Sequence, residues 1–123
     1  MSIEENSKLN IGIIGAGVAG MAAGLILKNL GHKVSIYERE QKLERLGAGI
    51  QISSNGRFVL DKLGIDNEVQ KLASRPTSFA LFDSPRENTI GNIEIHDRLK
   101  ARYERGFLVL HRADLINALH KKI

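Results

Sequence analysis

Gly15-Ala16-Gly17-Val18-Ala19-Gly20 spaces three glycines as Gly-x-Gly-x-x-Gly, and the carboxylate of Glu38 follows about 20 residues on. That pattern suits a pyrophosphate flanked by a nucleoside. Gly15 permits a tight turn, Gly17 leaves the backbone bare for a phosphate, and Gly20 allows close packing of a helix on a strand. The N–H groups of a helix opening at Val18 and Ala19 would then face the phosphates, together with the positive end of the helix dipole. Glu38 can accept hydrogen bonds from an adenosine ribose, and its charge repels a 2′-phosphate, which disfavours NADP at this place. The plain alternative is a glycine turn in an α/β protein that binds another ligand or none. The strand before, the helix after and the acid beyond argue against it.

These residues need particular elements to position them. The apolar run at 9–14 reads as a strand. Helical spacing of Val18, Met21, Ala22, Leu25, Ile26 and Leu30 predicts a helix over 18–30 with one buried face, stopped by Gly31. A second strand over 33–38 puts Val34, Ile36 and Glu38 on one side. The unit is a βαβ crossover, so its strands should be parallel and the connection right-handed.

Residues 39–46 are charged and should be exposed. In Gly47-Ala48-Gly49 the backbone is bare enough for a ligand to approach, and a short extended piece follows to Ile52. Ser53 or Ser54 is expected to cap a helix through Leu63, with Gly64 ending it, and Asp66 to cap another over 67–73. Asn55 reads as a helix-start residue. Strands at 78–82 and 90–95, joined by a polar turn, read as an inserted hairpin. The charged stretch 97–105 reads as loop, 107–110 as a short strand, and a last helix opens at His111 with Leu115, Ile116 and Leu119 buried.

The 123 residues allow at most one domain, small for a complete α/β enzyme, and 42% apolar content suits a folded core. No apolar run approaches the ~20 residues of a membrane span. Residues 1–8 are polar and carry no export signal, so a cytoplasmic location is expected. The absence of cysteine excludes disulfides, thiolate metal sites and a cysteine nucleophile. A net charge of +4 is spread along the chain, densest at Arg98, Arg102 and Arg105, without the aromatic interleaving of a nucleic-acid surface. His32 follows a helix-ending glycine and should be exposed. His96, His111 and His120 are not at metal-ligand spacing, and no Ser–His–Asp arrangement can be argued. No side chain is assigned as catalytic.

Three segments together resemble the N-terminal part of the FAD-dependent aromatic hydroxylases, the single-component flavoprotein monooxygenases with salicylate-hydroxylase-like and urate-hydroxylase-like members. They are the glycine run with Tyr37-Glu38-Arg39, then Gly47-Ala48-Gly49-Ile50-Gln51-Ile52-Ser53 with the helix to Gly64, and Leu110-His111-Arg112-Ala113-Asp114-Leu115. The resemblance implies an α/β fold with a Rossmann-type FAD-binding βαβ unit and an inserted hairpin, incomplete relative to the family fold. It implies FAD as cofactor, held by Gly15, Ala16, Gly17, Val18, Ala19, Gly20, Glu38, Arg39, Ala48, Gly49, Gln51 and Arg112. Ala48 to Gln51 would lie on the flavin side, and Arg112 would reach back to the FAD, its planar fork matching phosphate or ribose oxygens. Arg39 reads equally as a solvated charge, and the plain alternative for Arg112 is a surface arginine beside a helix start.

By the same resemblance a complete protein would hydroxylate an aromatic or related ring with NAD(P)H and dioxygen. Residues 1–123 correspond to roughly the first third of such a protein. They are expected to be only the N-terminal portion of the FAD-binding domain, without the substrate domain or the later FAD-binding segments. Two other readings stand beside this one. An NAD-dependent dehydrogenase would use the same βαβ unit, but has no need of the segments at 47–53 and 111–115. A truncated product would serve as a non-catalytic binding module, or have no role.

Overall fold

The computed structural model describes residues 8–40, 49–83 and 88–123. In chain order its elements are β1 (Asn10–Ile14), α1 (Val18–Asn29), β2 (Lys33–Tyr37), β3 (Gly49–Ile52), α2 (Ser54–Lys62), α3 (Asp66–Leu72), β4 (Ser78–Asp83), β5 (Asn88–Glu94), α4 (His96–Tyr103), β6 (Leu108–His111) and α5 (Arg112–His120). They form two compact units, one from the chain up to Gly47 together with 112–123, the other from 48–111.

In the first unit β1 and β2 pair in parallel, with Ile11 opposite Val34 and Ile13 opposite Ile36. The expected βαβ arrangement is present. Helix α1 covers this pair with Met21, Gly24 and Leu25 buried, and α5 packs against α1 through buried Leu115, Ile116, Ala118 and Leu119. Burying Met21 and Leu25 contributes ~1.5–3 kcal/mol each. The apolar stripe is narrower than the spacing suggests, since Ile26 is 42% and Leu30 67% exposed. Leu30 is already the C-cap, and the helix ends as expected at Gly31, whose φ is +90°. The N–H of Gly31 donates to Lys28 and that of His32 to Leu27, so two orphan carbonyls are satisfied. His32 is half-buried rather than exposed, and its Nδ1 accepts the Leu9 N–H at 3.4 Å.

In the second unit β3 and β6 pair antiparallel, from Gly49 opposite His111 to Ile52 opposite Leu108. Strands β4 and β5 form the expected antiparallel hairpin, with a register irregularity at Leu81/Phe82. Its core includes Ile52, Leu60, Leu63, Ile65, Val69 and Leu108. Between α2 and α3, Gly64 makes the turn at φ +71°.

Four local expectations are corrected here. Ser53 is the N-cap of α2 but makes no side-chain cap bond; its hydroxyl turns to Asn55 Oδ1. Ser54 is buried and donates to the Arg105 carbonyl at 2.6 Å instead. Asp66 is the first residue of α3, with Ile65 as its N-cap, and its carboxylate meets Arg57 at 3.0 and 2.7 Å. That buried pair also engages the Gly106 carbonyl and the Gln70 amide. The stretch read as loop after residue 96 is helix α4, with no buried residue, ended by Glu104 at φ +59°. Its charges mark a solvated helix, and Leu99, Lys100, Ala101 and Arg102 are good helix formers. His111 closes β6, and the last helix starts one residue later, at Arg112.

Among the described residues no helix is long and apolar enough to cross a membrane.

Candidate nucleotide-binding site

The site grows out of the C-terminal ends of β1 and β2. The Gly15 N–H donates to the Tyr37 carbonyl at 2.7 Å, so the glycine turn leaves β1 as an extension of the parallel ladder. Gly15 then takes φ +99°, a conformation side chains rarely adopt. Gly20 is required by a close approach: a Cβ there would lie 2.0 Å from the Gly15 carbonyl oxygen. The helix therefore closes on its own turn and, at 3.4 Å from the same Cβ, on Ile13 of β1, while Gly24 meets the sheet beside Ile36 and Ile13.

Gly17 is the N-cap of α1 and no acid stands in the first turn. The N–H groups of Val18, Ala19 and Gly20 have no carbonyl one turn earlier to bond, and the ladder starts with Met21 N–H to the Gly17 carbonyl at 2.9 Å. This is a helix start shaped for an anion.

Arg112, the first residue of α5, comes to the same place. Its Nη2 lies 3.5 Å from where a Cβ on Gly17 would sit, and among the described residues no carboxylate pairs with it. A cation at the positive end of a helix is unfavourable by itself. An anion between the two makes both favourable.

Glu38 sits one residue past β2. Its Oε2 accepts the Ala16 N–H at 2.7 Å and its Oε1 the Glu40 N–H at 3.1 Å. These bonds, that from Glu40 foremost, hold its carboxyl below the usual carboxylate range although the side chain is exposed. Each oxygen keeps a lone pair for a further donor, such as a ribose hydroxyl. Arg39 is turned to Glu40 at 3.2 Å, with its side chain 92% exposed.

Of the other residues singled out by sequence, Gly49 and Gln51 belong to β3 in the second unit, opposite His111 and Val109, and Gln51 is exposed. Ala48 lies outside the described residues. The first unit thus brings together Gly15 to Gly20, Glu38 and Arg112. Sequence reasoning missed the second hydrogen-bonding duty of Glu38 toward Ala16. Its only sequence signal is the position of an acid immediately after the strand that pairs with β1.

A bare turn, an acid-free helix start, a facing guanidinium and an ionised carboxylate suit the phosphates and ribose of a dinucleotide. The chain belongs to the FAD-binding domain family, whose model matches residues 8–116, and FAD is the cofactor of that family. It is 31% identical over 116 residues to 3-hydroxybenzoate 6-hydroxylase 1 of Aquipseudomonas alcaligenes, covering 91% of this chain and 29% of that protein. It is 30% identical to 6-hydroxynicotinate 3-monooxygenase of Bordetella bronchiseptica, covering 87% and 28%. Among solved structures, 2-methyl-3-hydroxypyridine-5-carboxylic acid oxygenase in a tetrameric form superposes with a TM-score of 0.81 at 24% identity, over 95% of this chain and 29% of that one. Klebsiella pneumoniae HpxO, complexed with FAD and uric acid, superposes at 0.77 and 21%, again over 95% and 29%. Those two likenesses establish the fold. The chain spans less than a third of the length of the curated relatives it matches.

Proposed function

We propose that residues 1–123 are the N-terminal portion of the FAD-binding domain of a flavin-dependent monooxygenase. The domain would hold the adenosine and pyrophosphate end of the cofactor. Gly15 to Gly20 and Arg112 receive the pyrophosphate, and Glu38 receives the ribose. Ala48, Gly49 and Gln51 are assigned to the flavin side, and Arg39 to the rim beyond Glu38. FAD, when bound, supplies the redox chemistry, with NAD(P)H as electron source and dioxygen as oxidant. The protein's share is to bind and orient the cofactor and keep water from it. The remaining FAD contacts and the substrate-covering domain would come from the other two thirds of a chain as long as its relatives.

The substrate of this reading is an aromatic or related ring, which two relatives named for hydroxybenzoate and hydroxynicotinate support. The observation that carries the cofactor assignment is Arg112 beside Gly17 at an acid-free helix start. NAD carries a pyrophosphate too, so the choice of FAD over NAD is supported by the family match over residues 8–116.

Calorimetric titration of the chain with FAD, AMP and NAD tests the reading. FAD is expected to bind more tightly than NAD. Clearly tighter binding of NAD would reverse the assignment. In a complete homologue, absence of flavin after purification and reconstitution would refute the monooxygenase.

A further inference from the structure

The glycine turn is tied to the end of β2 twice. One tie is main chain to main chain, Gly15 N–H to the Tyr37 carbonyl at 2.7 Å. The other is the Glu38 carboxylate on the Ala16 N–H, also at 2.7 Å. Ala16 is buried and this bond is part-buried, so without Glu38 its N–H would lose its protein partner. The other carboxylate oxygen is fixed by the Glu40 N–H, which sets the orientation of the group.

We infer that Glu38 is a positioning residue for the phosphate-receiving turn as well as a ribose acceptor: its carboxylate clamps the Ala16 N–H and holds Gly15 to Gly17 in shape before the nucleotide arrives. This rests on the FAD reading for the identity of the ligand, but not for the clamp. A clamp makes a specific demand. Loss of the carboxylate must weaken a ligand with no ribose hydroxyls to offer. If Glu38 acted on the ribose alone, that ligand would be indifferent to it, or would bind better once a negative charge near the phosphates was gone.

The experiment uses ADP and 2′,3′-dideoxy-ADP, titrated into the wild-type chain, Glu38→Ala and Glu38→Gln, with binding followed by backbone amide shifts. Hydrogen exchange of the Ala16 amide is measured in the same three proteins without ligand. Glu38→Ala is expected to weaken dideoxy-ADP on the order of fivefold or more, and ADP further, since both roles are lost. Ala16 exchange should accelerate at least about tenfold while Gly15, bonded to Tyr37, keeps its protection. Glu38→Gln retains one carbonyl acceptor for Ala16 and should restore most of the Ala16 protection and of the dideoxy-ADP affinity.

Dideoxy-ADP binding unchanged within twofold in Glu38→Ala, or unaltered Ala16 exchange, would overturn the clamp. Should Glu38→Ala fail to fold, Glu38→Gln decides. A glutamine that leaves Ala16 as labile as a surface amide, with the core amides of Met21 and Leu25 still protected, refutes it. Wild-type protein that binds neither ADP nor FAD would refute the cofactor reading instead, and the exchange data would still judge the clamp.

Discussion

At the scale of single residues, the charges divide into those that build the fold and those that await a ligand. Arg57 and Asp66 are buried and spend their charge on each other. Removing one partner leaves the other uncompensated, so Arg57→Ala should destabilise by ~3–5 kcal/mol in urea denaturation. Replacing both by apolar residues should cost far less. Arg112 is exposed beside Gly17 and pairs with no carboxylate among the described residues. Arg112→Ala should leave stability nearly unchanged. It should weaken FAD more than AMP, by ~1.5–3 kcal/mol for a charge-assisted bond, as calorimetry with both ligands would show. Arg112→Lys should recover only part, because the planar fork is lost.

Glu38 gives a pH dependence whose sign follows from its direction of shift. Its carboxyl is held below the ordinary value, chiefly by the Glu40 N–H and then by that of Ala16. The stabilisation of the turn is therefore complete above the ordinary carboxylate pKa and is lost as pH falls through the depressed value. Arg39 and Glu40 flank the group, and the turn residues Gly15 to Gly20 contribute no titrating side chain. The Ala16 amide proton shift should titrate with the Glu38 carboxyl carbon. A curve centred at or above the ordinary value would contradict the two bonds.

At the scale of elements, the β1–α1–β2 unit was legible because each of its devices is local. Alternating and helical apolar spacing, a stop at Gly31 and the glycine turn can all be read within thirty-odd residues of sequence. Elements whose side chains answer to distant partners were not legible. Asp66 looks like a helix cap until Arg57 claims it, and Ser54 until the Arg105 carbonyl does. Helix α4 was hidden by its charge: its residues are mostly polar, and its less exposed side rests on His96 and Leu99 alone. For the site, Glu38 could be read from its position after a strand. The approach of Arg112 to Gly17 depends on α5 packing against α1, and only family resemblance pointed to it.

The same element offers a contrast between two glycines. Gly20→Ala would drive a Cβ to 2.0 Å from a backbone carbonyl, and Gly24→Ala to 2.7 Å from the terminal methyl of Ile36. A side-chain end can move, and a turn carbonyl cannot without changing the turn proposed to receive the phosphates. Both changes should destabilise by ~1–3 kcal/mol. Only Gly20→Ala should abolish ADP binding measured well below its melting temperature. Equal effects on binding would show that the turn is less tightly specified than its geometry requires.

At the scale of the whole molecule, the residues proposed to meet the cofactor are unevenly supplied. The first unit gathers those proposed for adenosine and pyrophosphate, whereas those proposed for the flavin end are backbone positions and one exposed glutamine, Gln51. Ordering a long flexible cofactor costs conformational freedom that these contacts must offset. Residues 1–123 by themselves are therefore expected to bind FAD weakly. A flavin ring left in water lacks the exclusion on which controlled oxygen transfer relies. No substrate-dependent hydroxylation should follow, and any NAD(P)H oxidation should be independent of added ring substrate. The measurement is NAD(P)H consumption with and without a panel of hydroxylated aromatic and pyridine carboxylic acids, with product quantified in parallel. Stoichiometric hydroxylated product from this chain alone would mean that the adenosine-side contacts suffice to organise the reaction.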